Sequence, residues 1–136
     1  MKSKENTSPV RSRDKVLQSL YEIDLGGSNA QEILEDKEMQ KRYPHFKDLL
    51  IGVTESMSNL DDLLQQLMDR DLLGLDPIER NALRLAIYEM LHSDLDKPII
   101  INESIRLTKK YGAVDGHKYV NAVLDKALKA DLQQIL

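Results

Sequence analysis

The sequence predicts an all-helical protein of about seven helices, and three observations carry that prediction. Apolar residues recur at three- and four-residue steps through almost the whole chain, the period of one buried helix face. Helix start and stop residues punctuate that pattern at regular intervals. The one segment that resembles a strand, Ile99-Ile100-Ile101, has no partner strand elsewhere in the sequence.

Ser8 before Pro9 supplies an N-cap with proline at the first helical position. Val16, Leu17, Leu20, Tyr21 and Ile23 then keep helical spacing until Gly26-Gly27, so the first helix is expected over about 9–25. Ser28 or Asn29 can cap a short helix containing Ile33, Leu34 and Met39, which the Tyr43-Pro44 step interrupts. From Phe46 the apolar positions Leu49, Leu50, Val53 and Met57, then Leu60, Leu63, Leu64, Leu67 and Met68, predict two consecutive helices, with a break and recap at Ser58-Asn59.

Asp76-Pro77-Ile78-Glu79 is the strongest start signal. Asp76 can accept from free amides, Pro77 needs no amide partner, and Glu79 can reach back as in a capping box. The helix from 77 to about 93 is apolar around most of its circumference and is expected to be the one others pack around. Ile100, Ile101, Ser104, Ile105, Leu107, Thr108 and Tyr111 fit a helix closed by Gly112. Asp115 is expected to cap a last helix that buries Val120, Val123, Leu124, Ala127 and Leu128 while Lys118, Lys126 and Lys129 face water. Residues 1–8 are expected to form a flexible basic arm ahead of a single domain over 9–136.

Composition narrows the function classes. In 136 residues there is no cysteine, which excludes thiol catalysis, disulfides and thiolate metal sites and fits a reducing cytoplasm. No apolar run approaches the roughly 20 residues of a spanning helix, so no membrane partner is expected. The net charge of −4 hides an asymmetry. Residues 1–15 carry five bases against two acids and residues 105–130 carry six against two, while residues 16–104 carry eight against eighteen. Basic charge at the two ends of an acidic body fits a nucleic-acid or acidic-partner site, and fits solvated helix faces equally well.

Enzyme signatures are missing. No phosphate-cradling glycine pattern or nucleophile elbow is present, and His45, His92 and His117 lack the spacing of a zinc site. Asp115, His117 and Lys118 form the best acid–base candidate, but capping by Asp115 is the simpler reading. No cofactor or metal is expected.

Two features point to RNA. On a wheel of about 100° per residue with Arg11 at zero, Arg13 falls at about 200°, inside the apolar arc of Leu17, Leu20, Tyr21 and Ile23. Either the helix emerges from the body there, or Arg13 meets a carboxylate, or the guanidinium sits beside a ligand phosphate. The segment Lys109-Lys110-Tyr111-Gly112, followed by Asp115-Gly116-His117-Lys118-Tyr119, interleaves bases with two tyrosines. Unpaired bases stack on such rings while lysines meet the backbone, although both tyrosines also suit the edge of a core.

At these residues the sequence resembles the NusB family of bacterial antitermination factors. The matching stretches are Asp76-Pro77-Ile78-Glu79-Arg80, Leu83-Arg84-Leu85, Tyr88-Glu89, Ile101-Asn102-Glu103, Lys109 to Gly112, His117-Lys118-Tyr119-Val120-Asn121 and Val123 to Lys126. Arg13, Gln18 and Leu20-Tyr21 match more loosely, and the likeness covers about 9–128. It implies two helical subbundles, no enzymatic activity, and a complex with the ribosomal protein NusE that binds boxA RNA in ribosomal operon leaders and joins the RNA polymerase antitermination complex.

Residue by residue, the resemblance assigns RNA binding to Arg11, Arg13, Tyr21, Tyr111, Asp115, Lys118 and Tyr119, and puts Glu79 near the junction of NusE and RNA. The chain departs from the family pattern at Pro9 and Val10, where bases are usual, at Gly116 in place of serine, at Ala122 in place of glycine, and at Tyr111 and Tyr119 in place of phenylalanines. Two rival readings are a protein-only helical adaptor and the accessory domain of a ribosomal RNA cytosine methyltransferase. A homodimer is left open.

Overall fold

The computed structural model describes residues 8–135, all of whose regular structure is helical. The arm expected over 1–8 lies outside the described residues, except that Ser8 opens the first helix; the cap of that helix is therefore also outside them. The chain divides into two compact units, one ending at Glu55 and one beginning at Ser56.

The first unit contains α1 (Ser8–Asp24), α2 (Ala30–Leu34), α3 (Lys37–Arg42) and α4 (Phe46–Glu55). Helix α4 packs on α1, α2 and α3, and the buried apolar residues are Val16, Leu17 and Leu20 of α1 with Phe46, Leu50 and Val53 of α4. The end of α1 is a Schellman turn. The Gly27 amide donates to the Glu22 carbonyl (2.9 Å) and the Gly26 amide to Ile23 (3.0 Å), with Gly26 at φ 78°, a left-handed conformation that glycine adopts without a Cβ penalty.

The single helix expected after Ser28-Asn29 is two short ones. Asn29 caps α2 by accepting from the Glu32 amide at 2.9 Å, and Asp36 restarts the chain as α3 by accepting from Met39 at 3.0 Å. Neither helix contains a buried residue, so caps rather than burial hold them, helped by the Gln40 amide group, which donates to the Leu34 carbonyl.

The second unit contains α5 (Met57–Leu67), a 3-10 turn (Leu72–Gly74), α6 (Pro77–His92), α7 (Lys97–Tyr111), α8 (Gly116–Lys129) and α9 (Leu132–Ile135). The break before α5 falls at Ser56, two residues earlier than expected. Helix α6 packs against α5, α7 and α8, as its apolar circumference predicts. Its start is the expected one in part: Asp76 accepts from the Ile78 amide at 2.9 Å with Pro77 following. Fully buried Leu83 and Ile87 each contribute about 1.5–3 kcal/mol through removal from water. The ambiguous isoleucine run is the first turn of α7, buried through Ile100 and Ile101. In α8 the buried stripe is Val120, Val123, Leu124 and Ala127; Leu128, expected inside, is 37% exposed.

Polar clamps fix the connection between α5 and α6. Arg84 of α6 grips Asp61 of α5 with two bonds, Nε to Oδ1 at 2.7 Å and Nη2 to Oδ2 at 2.8 Å, and its Nη1 donates to Asn81 Oδ1 at 3.0 Å. Arg80 Nη1 donates to the carbonyls of Leu73 and Leu75, both at 3.0 Å, which ties down the 3-10 turn. Gln65 uses both ends of its amide: Nε2 donates to the Arg70 carbonyl at 2.6 Å, and Oε1 accepts from the Leu72 amide at 3.0 Å. The segment carrying Asp69 and Arg70 is thus held in place although it has no regular structure.

Candidate nucleic-acid interface

The end of α7 and the start of α8 present the basic and aromatic residues of the second unit. Lys109 and Lys110 are exposed in the last turn of α7, and the Lys110 ammonium lies 5.2 Å from the centre of the half-buried Tyr111 ring. The chain leaves the helix at Gly112, whose backbone is extended (φ −96°, ψ −173°), and a Cβ there would stand 2.8 Å from the Thr108 carbonyl oxygen. After it comes Val114, an apolar side chain left 90% exposed.

Asp115 occupies the residue before α8 but its side chain makes no capping bond, contrary to expectation. Its backbone (φ −110°, ψ 10°) lacks the extended conformation that folds a cap oxygen over the first amides. The carboxylate instead pairs with Lys118 Nζ at 3.3 Å, both side chains being open to water at 73% and 72%. Such a pair is weak. His117 Nδ1 is buried and has no hydrogen-bond partner, so the acid–base pair considered for Asp115 and His117 is not assembled.

Tyr119 is held from two sides by residues the sequence reading did not single out. Its hydroxyl donates to Asp69 Oδ1 at 2.9 Å, and the Arg70 guanidinium lies 4.2 Å from the ring centre. The hydrogen bond from Tyr119 holds the Asp69 carboxyl below its ordinary value. Burial, followed by the bond to Asp69, raises the Tyr119 hydroxyl. Fifty positions of sequence separate the partners, and no local pattern links them.

Glu79 makes no capping-box bond among the described residues, which corrects that expectation. It is buried, and its carboxyl end lies against the start of α8: a Cβ added to Gly116 would meet Glu79 Cδ and Oε1 at 2.5 Å. The glycine at this position is what leaves room for the carboxylate. Burial raises its pKa above the ordinary value and the nearby Asp76 charge raises it further, against the opposing pull of Arg70.

The remaining predicted residues belong to the first unit. Arg11 is exposed on α1 and Tyr21 is half-buried. Arg13 is only 6% exposed, and Ser12 and Asp14 beside it are buried, so α1 is packed into the fold from Ser12 on, although Pro9 and Arg11 before it are exposed. Arg11, Arg13 and Asp14 all interact with other groups of the chain. The Lys15 ammonium lies 5.7 Å from the centre of the Tyr43 ring. Among the described residues no group of three or more His, Asp or Glu side chains could hold a metal ion, and no helix is long and apolar enough to cross a membrane.

The chain matches known proteins along nearly its whole length. A transcription antitermination protein NusB from Nitrosomonas eutropha is 43% identical over 130 residues, covering 91% of this chain and 77% of the relative. A solved T. maritima NusB superposes with a TM-score of 0.79 at 30% identity, covering 95% of this chain and 93% of that one. A crystal structure of antitermination factors NusB and NusE in complex with dsRNA gives 0.73 at 28% identity, covering 87% and 93%. The NusB family pattern spans residues 10–129, taking in most of both helical units and every residue of the candidate interface, and the chain therefore belongs to the NusB family.

Proposed function

We propose that this protein is a transcription antitermination factor which binds boxA RNA of ribosomal operon leaders together with NusE, acts in the cytoplasm, and works by binding rather than catalysis. The most direct support from geometry is the meeting of α7 and α8, where Lys109, Lys110 and Lys118 are exposed beside Tyr111 and Tyr119. Lysines are suited to phosphates and tyrosine faces to unpaired bases. The relatives' name, and the solved assembly of NusB with NusE and RNA, favour this use of the surface over a protein-only adaptor.

In this reading Tyr111, Lys118 and Tyr119 contact RNA, Arg11 meets a phosphate, and Arg13 and Tyr21 support that contact from α1. Asp115 adjoins the RNA and moderates its attraction. Glu79 is assigned to the NusE side, where an acidic group complements a basic ribosomal protein. Filter binding with leader RNA, with and without NusE, tests the reading. RNA should be retained, and retained more tightly when NusE is present. Retention in neither condition would leave the protein-only adaptor as the better account.

A further inference from the structure

Arg70 has an arrangement that its structural surroundings do not fully explain. Its backbone is fixed, because the Arg70 carbonyl accepts from Gln65 Nε2 at 2.6 Å and Asp71 accepts from the Leu73 amide at 3.2 Å. Its guanidinium is fixed as well, 4.2 Å from the centre of a Tyr119 ring whose hydroxyl is tethered to Asp69 at 2.9 Å. Yet the residue is exposed, and its guanidinium makes no hydrogen bond or ion pair with the described residues. The contact with the ring face uses the positive charge of Arg70 but not its N–H donors. Here the five N–H donors of a guanidinium are held at a defined place with hydrogen-bonding capacity left over, which is the preorganised state that favours a bidentate contact with an anionic oxygen.

We propose that Arg70 is a further RNA-contacting residue, positioned by Tyr119 to donate to a backbone phosphate of the strand that passes that ring. The proposal rests on the RNA-binding reading above and extends it to the connection between α5 and α6. Asp69 and Glu79 are the acidic groups close enough to influence Arg70, and Lys126 adds positive charge near Asp69. One oxygen of Asp69, Oδ1, accepts from the tyrosine hydroxyl. Because the contact is to the backbone, it should strengthen binding to RNA of any sequence rather than select a base.

The test measures affinity for single-stranded leader RNA across a salt series, using the full chain and the variants Arg70→Ala, Arg70→Gln and Arg70→Lys. Thermal melting provides a check on folding, and Gln serves if Ala folds poorly. Removing the charge with either Ala or Gln should weaken binding about tenfold at fixed salt. It should also make the slope of log affinity against log salt shallower by about 0.7, the share of one phosphate contact on a single strand. Arg70→Lys should keep the parent's slope. A weakened Ala or Gln variant with the slope unchanged would show that Arg70 merely supports Tyr119, overturning the proposal. Parent-like binding by both charge-removing variants would overturn it too. Failure of the parent itself to bind RNA would overturn this proposal together with the RNA-binding reading, so the two failures are distinguishable.

Discussion

Asp115 shows how far one residue's role depends on backbone conformation. Its position before α8 was legible in the sequence, but its side chain pairs with Lys118 because the backbone there is not extended. Asp115→Ala should therefore change stability by no more than about 0.5 kcal/mol in chemical denaturation, less than the loss of a true cap. Both Asp115→Ala and Asp115→Asn should bind leader RNA at least as tightly as the parent, since each removes a negative charge and releases Lys118. Tenfold weaker binding by the Asn variant with an intact fold would make the carboxylate a ligand contact. Glu79 gives a pH-dependent counterpart. Burial raises its carboxyl pKa, so the folded chain binds that proton more tightly than the unfolded chain does. The associated stability is present below the unfolded value and lost as pH rises through the raised folded value. Glu79→Gln, which imitates the protonated group, should be more stable than the parent at about pH 7 and lose that advantage below about pH 4. Urea titrations at the two pH values measure it. Arg13 was legible as misplaced on its wheel, and the structure answers with burial; Arg70 was not legible, because the ring its guanidinium lies over is distant in sequence and no local pattern joins them.

Among the elements, the long helices were readable because their signals are local. Asp76-Pro77 starts α6, Gly112 ends α7, and apolar spacing marks the buried faces. The break between α4 and α5 was misplaced by two residues because the apolar rhythm runs on across Ser56, and the α2–α3 division was missed because neither helix buries a residue to set a rhythm at all. Glycine contacts at the two ends of the α7–α8 connection make a paired test. At Gly112 an added Cβ faces the Thr108 backbone oxygen at 2.8 Å and Ile78 Cγ2 at 3.4 Å, neither of which moves without disturbing a helix. Gly112→Ala should cost about 1–3 kcal/mol. At Gly116 the obstacle is the far end of the Glu79 side chain, whose rotatable bonds let it give way where backbone could not. Gly116→Ala should stay within about 1 kcal/mol of the parent, helped by alanine's higher helix propensity. It should also return the Glu79 carboxyl toward its ordinary pKa, seen by carboxyl NMR titration. Equal, large costs at both positions would mean that Glu79 is firmly held on the start of α8.

On the scale of the whole molecule, an acidic chain is proposed to bind an acidic polymer, and the distribution of charge makes that physically reasonable. Five bases lie in residues 1–15 and six in residues 105–130, so each helical unit carries a basic segment while the acids concentrate between them. NusE, as a basic ribosomal protein, then has an acidic body available to it, and neutralising some of that negative charge should favour RNA. The expected result is positive coupling: NusE raises RNA affinity, and linkage requires RNA to raise NusE affinity by the same factor. A coupling of about 1–3 kcal/mol corresponds to a change of about 5- to 150-fold in either titration. Arg11→Ala should leave this coupling factor nearly unchanged while reducing the RNA salt slope by about 0.7, because a single exposed phosphate contact contributes to RNA affinity without mediating the effect of NusE. Isothermal titrations of RNA into the protein with and without NusE, and of NusE with and without RNA, close the thermodynamic cycle. Equal coupling along both sides supports a joint complex in which each ligand improves the site for the other. Additive binding with no coupling would mean that the acidic body and the basic segments act independently, and that antitermination depends on NusE for a reason other than RNA affinity.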